Sequence, residues 1–375
     1  MTPAEILRRR LENQALARTA FRSAEDVVSW FGAVQAQDYL ASLWALGMRM
    51  REATETDIEA AETRRAIVRT WPMRGTLHFV AAADVRWMTQ LLAPRVLARN
   101  AARIEREVQV DAAVIDRCRE VVVAALSGGK RLERAALYQA LESRRIRTVG
   151  SRGLHILGWL AMDGTLCLAG RSGKQHTFAL LDEWIPATRP LERDAALAGL
   201  ATRYFTSHGP ATLQDFCWWA GITGKDAQLG VDGAGARLAR EAIGDREFYW
   251  GAGTRKRKRM HGAAAPRVKL LPAYDEYTVA YADRAWLASD AGRQDAMGLL
   301  GPAVMADGIV IGRWKRTLGR GQVRIEAQLL RPLSLSENEA LSASASAYGS
   351  FLGMPVNLVV NAPRASRRAA ARPRK

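Results

Sequence analysis

The stretch that decides the fold covers residues 151–180 and reads SRGLHILGWLAMDGTLCLAGRSGKQHTFAL. In its first part apolar residues recur at helical spacing, and the Asp-Gly pair at 163–164 ends that pattern. The apolar period then changes from about 3.6 to about 2, which predicts two strands, around Leu166 and around Phe178. A glycine-rich basic turn, residues 170–174, joins them. The stretch therefore predicts a helix followed by a hairpin.

Two further helices precede this stretch. Apolar residues at helical spacing predict the first between Asp111 and Ser127, where two glycines end it, and the second from Leu132 to Leu141. Three helices followed by a strand, a basic turn and a strand is the order of a winged-helix module. The third helix of such a module commonly enters a DNA groove.

Two other segments show the same order less clearly. One combines three predicted helices with a strand, at Asp194–Phe205, Leu213–Ala220, Lys225–Arg240 and Phe248–Trp250. In the other, nearer the N-terminus, Ser23 and Thr56 begin predicted helices, and short strands follow at Ile67–Arg69 and Thr76–Val80. The repetition of this order predicts three modules in tandem.

We therefore predict an α+β fold of three tandem winged-helix (helix-turn-helix) modules followed by a C-terminal β-rich domain. The predicted boundaries are 1–105, 106–190 and 191–262 for the modules, 263–360 for the β-rich domain and 361–375 for a basic disordered tail. Within the β-rich domain the alternation predicts strands at Val268–Pro272, Tyr277–Tyr281, Gly308–Lys315, Gln322–Leu330 and Pro355–Val360. A helix is predicted at Glu337–Ala347.

The composition is that of a globular protein with a strong positive charge. Of 375 residues, 48% are hydrophobic and 25% are charged, which excludes a mostly disordered chain. The 55 Lys and Arg residues outnumber the 38 Asp and Glu residues, so the formal charge is +17. This balance disfavours an acidic or neutral metabolic enzyme and favours a polyanion partner, either nucleic acid or an anionic membrane. The last fifteen residues hold six basic side chains and no acidic one, which leaves +11 on the rest.

The cysteines and the apolar runs indicate the cellular compartment of the protein. Cys118, Cys167 and Cys217 lie far apart, which predicts a reducing compartment, no disulfide framework and no zinc site. No apolar run is long enough for a membrane helix, and the N-terminus lacks the form of a signal peptide. We therefore expect a cytoplasmic, nucleoid-associated protein. Because the sequence shows no nucleotide-binding loop and no metal-ligand cluster, we expect no cofactor and no metal.

The segment Gly32-Ala33-Val34-Gln35-Ala36-Gln37-Asp38-Tyr39-Leu40 contains two glutamines flanking a small residue. It resembles the glutamine motif of the AlkZ-like DNA glycosylases. Four further fragments support the resemblance in order along the chain, namely Trp71–His78, His208–Thr212, Leu271–Tyr277 and Gly308–Trp314. Together these fragments extend the resemblance over most of the sequence.

The resemblance implies a winged-helix DNA glycosylase that excises N7-alkylated guanine, including guanine in interstrand crosslinks, and leaves an abasic site. The expected partner is double-stranded DNA with alkylated or crosslinked guanine, bound by a monomer. Some family members carry aspartate at the second polar position and others glutamine. Gln37 makes this chain similar to the all-glutamine subtype, which is associated with self-resistance to crosslinking natural products.

The chemistry of glutamine suits this substrate. Glutamine does not ionise, so it can orient a water and donate hydrogen bonds but cannot act as a general base. An N7-alkylguanine already carries a positive charge and leaves as a neutral base, while the sugar develops oxocarbenium character. We therefore expect Gln37 to hold the attacking water and Gln35 to help position the water or the deoxyribose. The alternative is that both glutamines lie at a helix end and face solvent.

Other polar residues are further candidates for the site. Asp38 is a possible catalytic base or a helix-end residue, and His78 is a possible DNA-facing residue or a satisfied, partly buried histidine. We expect His208 to lie in a turn. Asp275 and Glu276 are expected to be solvated acids in a turn, because adjacent side chains rarely converge on one atom.

Basic clusters predict contacts with DNA phosphates. A possible groove-facing pair lies on the third helix of the second module, at Arg152 and His155. The wing of that module, which is its basic hairpin turn, carries Arg171 and Lys174. The longest basic run is Arg255, Lys256, Arg257, Lys258 and Arg259. The C-terminal hairpin carries Arg313, Trp314, Lys315, Arg316 and Arg320, where the tryptophan either wedges into the duplex or packs in the core.

Three interpretations of the function remain open from the sequence. The first is a monofunctional DNA glycosylase, a hydrolase acting in base excision repair of alkylation damage. The second is a non-enzymatic winged-helix DNA-binding protein or transcriptional regulator, although three modules in one chain are unlike a simple dimeric regulator. The third is a structural or RNA-binding protein, for which the sequence shows no stacking motif.

Overall fold

The computed structural model describes residues 1–253, 267–288 and 300–361. The described elements fall into four successive segments, which are not the three ranges just given. The first segment, residues 3–108, forms α1 (Pro3–Asn13), α2 (Ala24–Phe31), β1 (Ala33–Gln35), α3 (Tyr39–Gly47), α4 (Glu55–Thr63), β2 (Ile67–Met73), β3 (Thr76–Ala81) and α5 (Val85–Val108). The predicted start of α2 is confirmed, because the side chain of Ser23 accepts the backbone N–H of Asp26 at 3.1 Å.

The second segment confirms the three helices and the hairpin that were predicted, with one correction: Leu132 and Glu133, predicted to begin the second helix, form the additional strand β4. It forms α6 (Ala112–Leu126), β4 (Leu132–Glu133), α7 (Arg134–Ser143), α8 (Arg152–Met162), β5 (Leu166–Ser172), β6 (Gln175–Leu180) and α9 (Leu181–Trp184). The glycine-rich turn joins β5 to β6, and Gly173 within it has a φ of 58° that favours glycine.

The third segment contains three helices and a hairpin. Its elements are α10 (Arg193–His208), α11 (Leu213–Ala220), α12 (Gly224–Ala234), β7 (Leu238–Ile243) and β8 (Arg246–Gly251). The third helix was predicted to reach Arg240, and that prediction is wrong. The helix ends at Ala234 because Gly235 turns to a φ of 54°, and the residues beyond pair with β8 instead.

The C-terminal segment is a five-stranded sheet with a long helix. Its elements are β9 (Val268–Leu271), α13 (Glu276–Val279), β10 (Ala303–Ala306), β11 (Ile309–Leu318), β12 (Val323–Leu329), α14 (Leu335–Leu352) and β13 (Val356–Asn361). The strand predicted at Tyr277–Tyr281 is wrong, because Asp275 caps a short helix there by accepting the N–H of Tyr277 at 2.9 Å. The Leu318–Gly321 hairpin turn between β11 and β12 is confirmed.

Six strands of the first two segments form one sheet, in the order β1-β3-β2-β5-β6-β4. Strands β2 and β5 join its halves through the pair Arg69 and Leu168. We call β1, β3 and β2 the first half-sheet, and β4, β6 and β5 the second half-sheet. Both halves have the same strand order outward from the seam. Each central hairpin also has a register shift near its turn, one pair from the turn in the first half-sheet and two pairs from it in the second. The two halves therefore repeat one strand arrangement on either side of an antiparallel seam.

Two hydrophobic cores underlie these elements. The larger core joins the first half-sheet to α10, α11 and the C-terminal sheet, and the smaller one lies among α5 to α8 and the second half-sheet. The first half-sheet is thus packed against two later parts of the chain, which brings distant residues beside β1. None of the described helices is long and apolar enough to cross a bilayer.

Candidate functional site

The two glutamines lie where β1 ends. Gln35 is the last residue of β1 and pairs with His78 of β3, and the N–H of Ala36 continues the ladder to the carbonyl of Leu77 at 2.7 Å. Because side chains alternate along an extended chain, Gln35 and Gln37 lie on one face and Ala36 on the other. Gln35 is buried and Gln37 is exposed, so the motif runs from the core to the surface.

Both carboxamides are held through their oxygens. The Oε1 atom of Gln35 accepts a hydrogen bond from Nη2 of Arg74 at 2.9 Å. The Oε1 atom of Gln37 accepts the backbone N–H of Leu77 at 3.1 Å. Each oxygen keeps a second lone pair, and each amide nitrogen keeps donors for a ligand. The Gln-x-Gln motif therefore presents oriented dipoles rather than a titratable group.

Arg74 links Gln35 to two other parts of the site. Its Nη2 lies 3.1 Å from Nε2 of His78, and its Nη1 donates to the carbonyl of Trp219 in α11. Arg74 occupies the turn between β2 and β3 with a φ of 55°, a left-handed conformation that is strained for arginine. A strained, half-buried arginine beside a glutamine indicates a positioning role at a binding site.

His78 is a neutral, fixed ring. It is completely buried, and its Nδ1 lies 2.9 Å from the carbonyl of Thr76. Since Arg74 can only donate, Nε2 of His78 must accept, and the proton sits on Nδ1. Burial and the Arg74 charge lower the pKa of His78 to about 3. Complete burial contradicts the prediction that His78 faces DNA. It agrees with the alternative of a satisfied histidine, which was expected to be only partly buried.

A buried carboxylate lies behind Gln35. Oε1 of Glu276 accepts the backbone N–H of Gln35 at 2.8 Å, and Oε2 accepts the indole N–H of Trp219 at 3.0 Å. Nε2 of His208 lies 3.3 Å from the same Oε2. Glu276 is 1% exposed. The first, third and C-terminal segments thus meet at one carboxylate.

Glu276 remains ionised in this setting. Burial by itself would raise the pKa of Glu276, but the hydrogen bond from His208 and the N–H of Gln35 hold it below its usual range. Arg74 lies nearby and supplies an opposite charge, although burial lowers the pKa of this arginine. The site therefore contains a fixed negative charge whose oxygens are already hydrogen-bonded, which suits electrostatic stabilisation rather than proton transfer.

The sequence predictions for the acids and for His208 need correction. Asp275 and Glu276 were expected to be solvated, yet both are buried, and Asp275 forms two 2.8 Å bonds with the buried Arg49. His208 was expected in a turn, but it is the last residue of α10 and is completely buried. The cause is long-range packing of α13 against α10 and β1, which local sequence patterns do not encode.

Asp38 has a local structural task. Its side chain accepts the N–H of Ala41 at 3.0 Å and caps α3, as expected of a helix-end residue rather than a catalytic base. Behind the motif, Arg69 donates from Nε and Nη2 to the carbonyl of Ala36 at 3.0 and 2.8 Å. This fork fixes the residue between the two glutamines from the seam of the sheet.

The basic residues predicted for DNA contact fall into several environments. Arg152 donates to the carbonyls of Val108 and Gln109 and so closes the end of α5, which argues against its prediction as a groove-facing residue. His155, one turn further along α8, is half-buried. Arg171 bonds Glu59 at 2.9 Å, and Lys174 is exposed.

The C-terminal hairpin corrects one prediction and leaves others open. Trp314 does not form a wedge, because it is 7% exposed and its indole N–H donates to the carbonyl of Leu271 at 2.7 Å. Arg316 donates to the hydroxyl of Tyr348, and Lys315 pairs with Glu326 at 3.0 Å. Arg313 and Arg320 are exposed. The run from Arg255 to Arg259 lies outside the described residues, as does the tail from residue 362.

Sequence reasoning missed Arg74, Glu276, His208 and Trp219 as members of the site. Two of the fragments quoted for the family resemblance contain Arg74 and Glu276, and a third begins with His208. Those fragments were the available signal. Among the described residues, no group of three or more His, Cys, Asp and Glu side chains could hold a metal ion.

Comparisons with known proteins agree with this picture. Residues 28–351 match the family model AlkZ-like, described as DNA glycosylase AlkZ-like. A curated relative, the interstrand DNA cross-link repair glycosylase of Streptomyces sahachiroi, is 25% identical over 332 residues, which cover 82% of this chain and 85% of the relative. The solved structure of the Streptomyces sahachiroi DNA glycosylase AlkZ matches with a TM-score of 0.77 and 22% identity, over 96% of this chain and all of that one.

Proposed function

This chain belongs to the AlkZ-like DNA glycosylase family, and we propose that it hydrolyses the N-glycosidic bond of N7-alkylated guanine in duplex DNA. As a DNA glycosylase it is a repair enzyme, which decides against the interpretation as a non-enzymatic regulator. The products are a free alkylated base and an abasic site. The single observation that carries the proposal is the pair of anchored carboxamides, Gln35 and Gln37, in front of the buried carboxylate of Glu276.

The reaction needs little proton transfer, and the described site offers little. The alkylated base is cationic, so the bond between C1′ and N9 breaks with both electrons going to N9, and the base leaves neutral. Water adds to C1′ and its extra proton passes to solvent. What the enzyme must supply is a placed water and charges that favour the oxocarbenium sugar.

We assign Gln37 to the water. Its Oε1 is oriented by the N–H of Leu77, and its second lone pair accepts a hydrogen bond from water. Gln35, with Oε1 bound to Arg74, uses its amide N–H groups to position the water or the deoxyribose. The ionised Glu276 behind Gln35 places negative charge toward the developing positive sugar.

The test is base excision on a duplex with a single N7-methylguanine, in which alkali cleavage reveals abasic sites. Gln37→Ala should lower the single-turnover rate by about 10²–10³, the usual cost of removing one preorganised hydrogen bond. Asp38→Asn is the matched control, because asparagine still caps α3. Excision by Gln37→Ala at the wild-type rate would remove Gln37 from the mechanism. If Asp38→Asn lost excision while Gln37→Ala kept it, Asp38 rather than Gln37 would be the residue that holds the water.

We propose further that the enzyme unhooks interstrand crosslinks. The relative from Streptomyces sahachiroi is named for crosslink repair. In this chain Gln37 is exposed at the surface, so a bulky adduct need not enter a deep pocket. A duplex crosslinked between two guanines should yield separated strands on a denaturing gel. Excision of N7-methylguanine without strand separation would limit the enzyme to monoadducts.

Every residue assigned to this site comes from one chain, including Gln35, Arg74 and Glu276. Because these residues contact one another within one chain, we propose that the enzyme acts as a monomer. We propose further that it works in the cytoplasm on nucleoid DNA, since its family acts on DNA. Light scattering at working concentration checks the oligomeric state. An obligate dimer would contradict it.

A further inference from the structure

A basic cleft of about 470 Å³ opens beside the site, between α5 and α11. Arg74, Arg95, Arg99, Trp218 and Gly221 are among the residues that line it. Arg74 connects the cleft to the motif, since the same guanidinium donates to Oε1 of Gln35 at 2.9 Å. A ligand in this cleft can therefore contact the residue that orients Gln35.

The cleft is lined by cations without carboxylates. Arg95 and Arg99 are exposed and lie one turn apart on α5, so both side chains reach the same face. Among the described residues, neither takes part in an ion pair and no acidic side chain lines the cleft. Arg284 lies next to it, 5.1 Å above the ring of Trp218, and its buried Nη2 has no hydrogen-bond partner in the described structure. Arg95 and Arg99 line this cavity with no carboxylate among the other lining residues, which favours an anion.

Trp218 adds a surface for stacking. Its indole N–H donates to the carbonyl of Val279 at 3.0 Å, which fixes the ring, yet the side chain is 47% exposed. Its neighbour Trp219 is completely buried and bonded to Glu276. Trp219 therefore already anchors α11 in the core, and Trp218 is left at the surface. A fixed, exposed indole next to cations is typical of nucleotide contacts.

A second cleft of similar size differs from the first in its lining residues. A cavity of about 570 Å³ lies between α6 and α7 and is lined by Arg117, Glu120 and Arg144. It contains a carboxylate and no aromatic ring among its lining residues. The second cleft therefore provides a matched control, because two arginines can be removed from it in the same way.

We propose that the cleft between α5 and α11 binds the DNA backbone beside the damaged nucleotide, an inference that rests on the proposed function. A phosphate lies between Arg95 and Arg99, and the adjoining sugar or base packs on Trp218. Arg74 faces this nucleotide and Gln35 at once, so backbone binding and orientation of the glutamine are linked through one side chain. The cleft thereby sets where the lesion sits relative to Gln37.

The first test measures binding of a short labelled duplex without damage over a range of salt concentrations. Arg95→Gln with Arg99→Gln should weaken binding for all sequences, and the logarithmic salt slope should fall by about 1 for each phosphate that is no longer neutralised. Arg117→Gln with Arg144→Gln should keep the wild-type slope. Equal slopes in both double variants would overturn the proposal. Arg99→Gln alone, which changes one exposed residue, should show about half of the change in slope.

The second test separates stacking from charge. Trp218→Ala should weaken duplex binding several-fold, because the sugar of the adjoining nucleotide no longer packs on the indole, with an unchanged salt slope. Trp218→Phe should restore most of the affinity. Wild-type affinity in Trp218→Ala would remove the ring from the subsite. Since these measurements use undamaged DNA, they stand even if excision of N7-methylguanine is absent, and retained excision with an unchanged slope would overturn the subsite alone.

Discussion

The first and second half-sheets share one topology but differ in their polar residues. Pairing places Gln35 opposite His78 in the first half and Glu133 opposite Thr177 in the second. Around Gln35, hydrogen bonds reach α11 and α13. Thr177 instead donates to the nearby carbonyls of Ala169 and Gly170. The two half-sheets therefore share a strand order, but the candidate site forms only in the half against which later segments pack.

The hairpin turns show the same contrast. Arg74 and Gly173 occupy corresponding positions, with φ values of 55° and 58°. Glycine adopts this conformation at no steric cost, whereas arginine does so with strain of order 1 kcal/mol. The first half-sheet tolerates the strain because the guanidinium of Arg74 bonds Gln35, His78 and Trp219. The strained turn thus lies in the half-sheet that holds the proposed site.

Exchanging the paired residues should give the largest effect. Gln35→Glu gives the first half-sheet the residue type that the second has at the corresponding position, Glu133. The change removes the amide donors and places a carboxylate beside the buried Glu276. We expect excision of N7-methylguanine to fall by about 10²–10³ in single-turnover assays. Glu133→Gln makes the reverse change and should excise at the wild-type rate. If both variants were equally active, the two halves would not differ in function.

The pH dependence of stability gives an intermediate effect. His78 has a pKa near 3 in the fold and an ordinary value of 6.5, so below about pH 6.5 the unfolded chain binds a proton that the folded chain does not. The free energy of unfolding should therefore decrease as the pH falls from about 6.5 toward 3, by up to about 1.4 kcal/mol per unit from this group. In His78→Gln, urea titrations near pH 7 and near pH 5 should differ less than in the wild type.

The counterpart in the second half-sheet supplies the control. Thr177→Val removes a buried hydrogen bond without removing a titratable group, so it should lower stability by about 1 kcal/mol at either pH. His208 titrates in all three proteins and cancels in the comparison. An unchanged pH slope in His78→Gln would show that the pKa of His78 is the same in the folded and unfolded states.

The smallest effect tests the contact between α11 and the turn of the first half-sheet. Gly221 has a φ of 70°, and a Cβ there would lie 3.3 Å from Cγ of Arg74. Gly221→Ala should lower stability by about 1 kcal/mol and excision a few-fold. Gly244→Ala has a similar φ of 63° with nothing within 4 Å, so it should share the decrease in stability and keep the activity. Thermal melts and excision rates measure both.

The parts of the fold predicted correctly are those encoded locally. Residues 151–180 show their helix, hairpin and turn through spacing and glycines, and α8, β5 and β6 follow them. The pairing of β2 with β5 was not predicted, because it depends on residues far apart in the chain. The strand expected at Tyr277–Tyr281 failed because a capping aspartate outweighed the apolar alternation.

The site was predicted only in part for the same reason. Gln35 lies opposite His78 in the β1–β3 ladder, and Arg74 reaches Gln35 from the turn that precedes β3. Glu276 was expected to be solvated, since two adjacent acids in a polar turn usually are. Its burial depends on the indole of Trp219 and the ring of His208, contributed by α11 and α10. No local pattern announces a carboxylate that is satisfied by three other elements.

The seam between β2 and β5 also bears on how this chain avoids aggregation. Every residue of β2 is buried, from Ile67 to Met73. Without β5 this strand would be an apolar sheet edge with unpaired backbone groups, a template for pairing with other molecules. The seam hides that edge within one molecule and leaves only β1 and β4 at the borders. A fragment cut between the first two segments would therefore precipitate or pair with itself, and the two halves must be made and folded together.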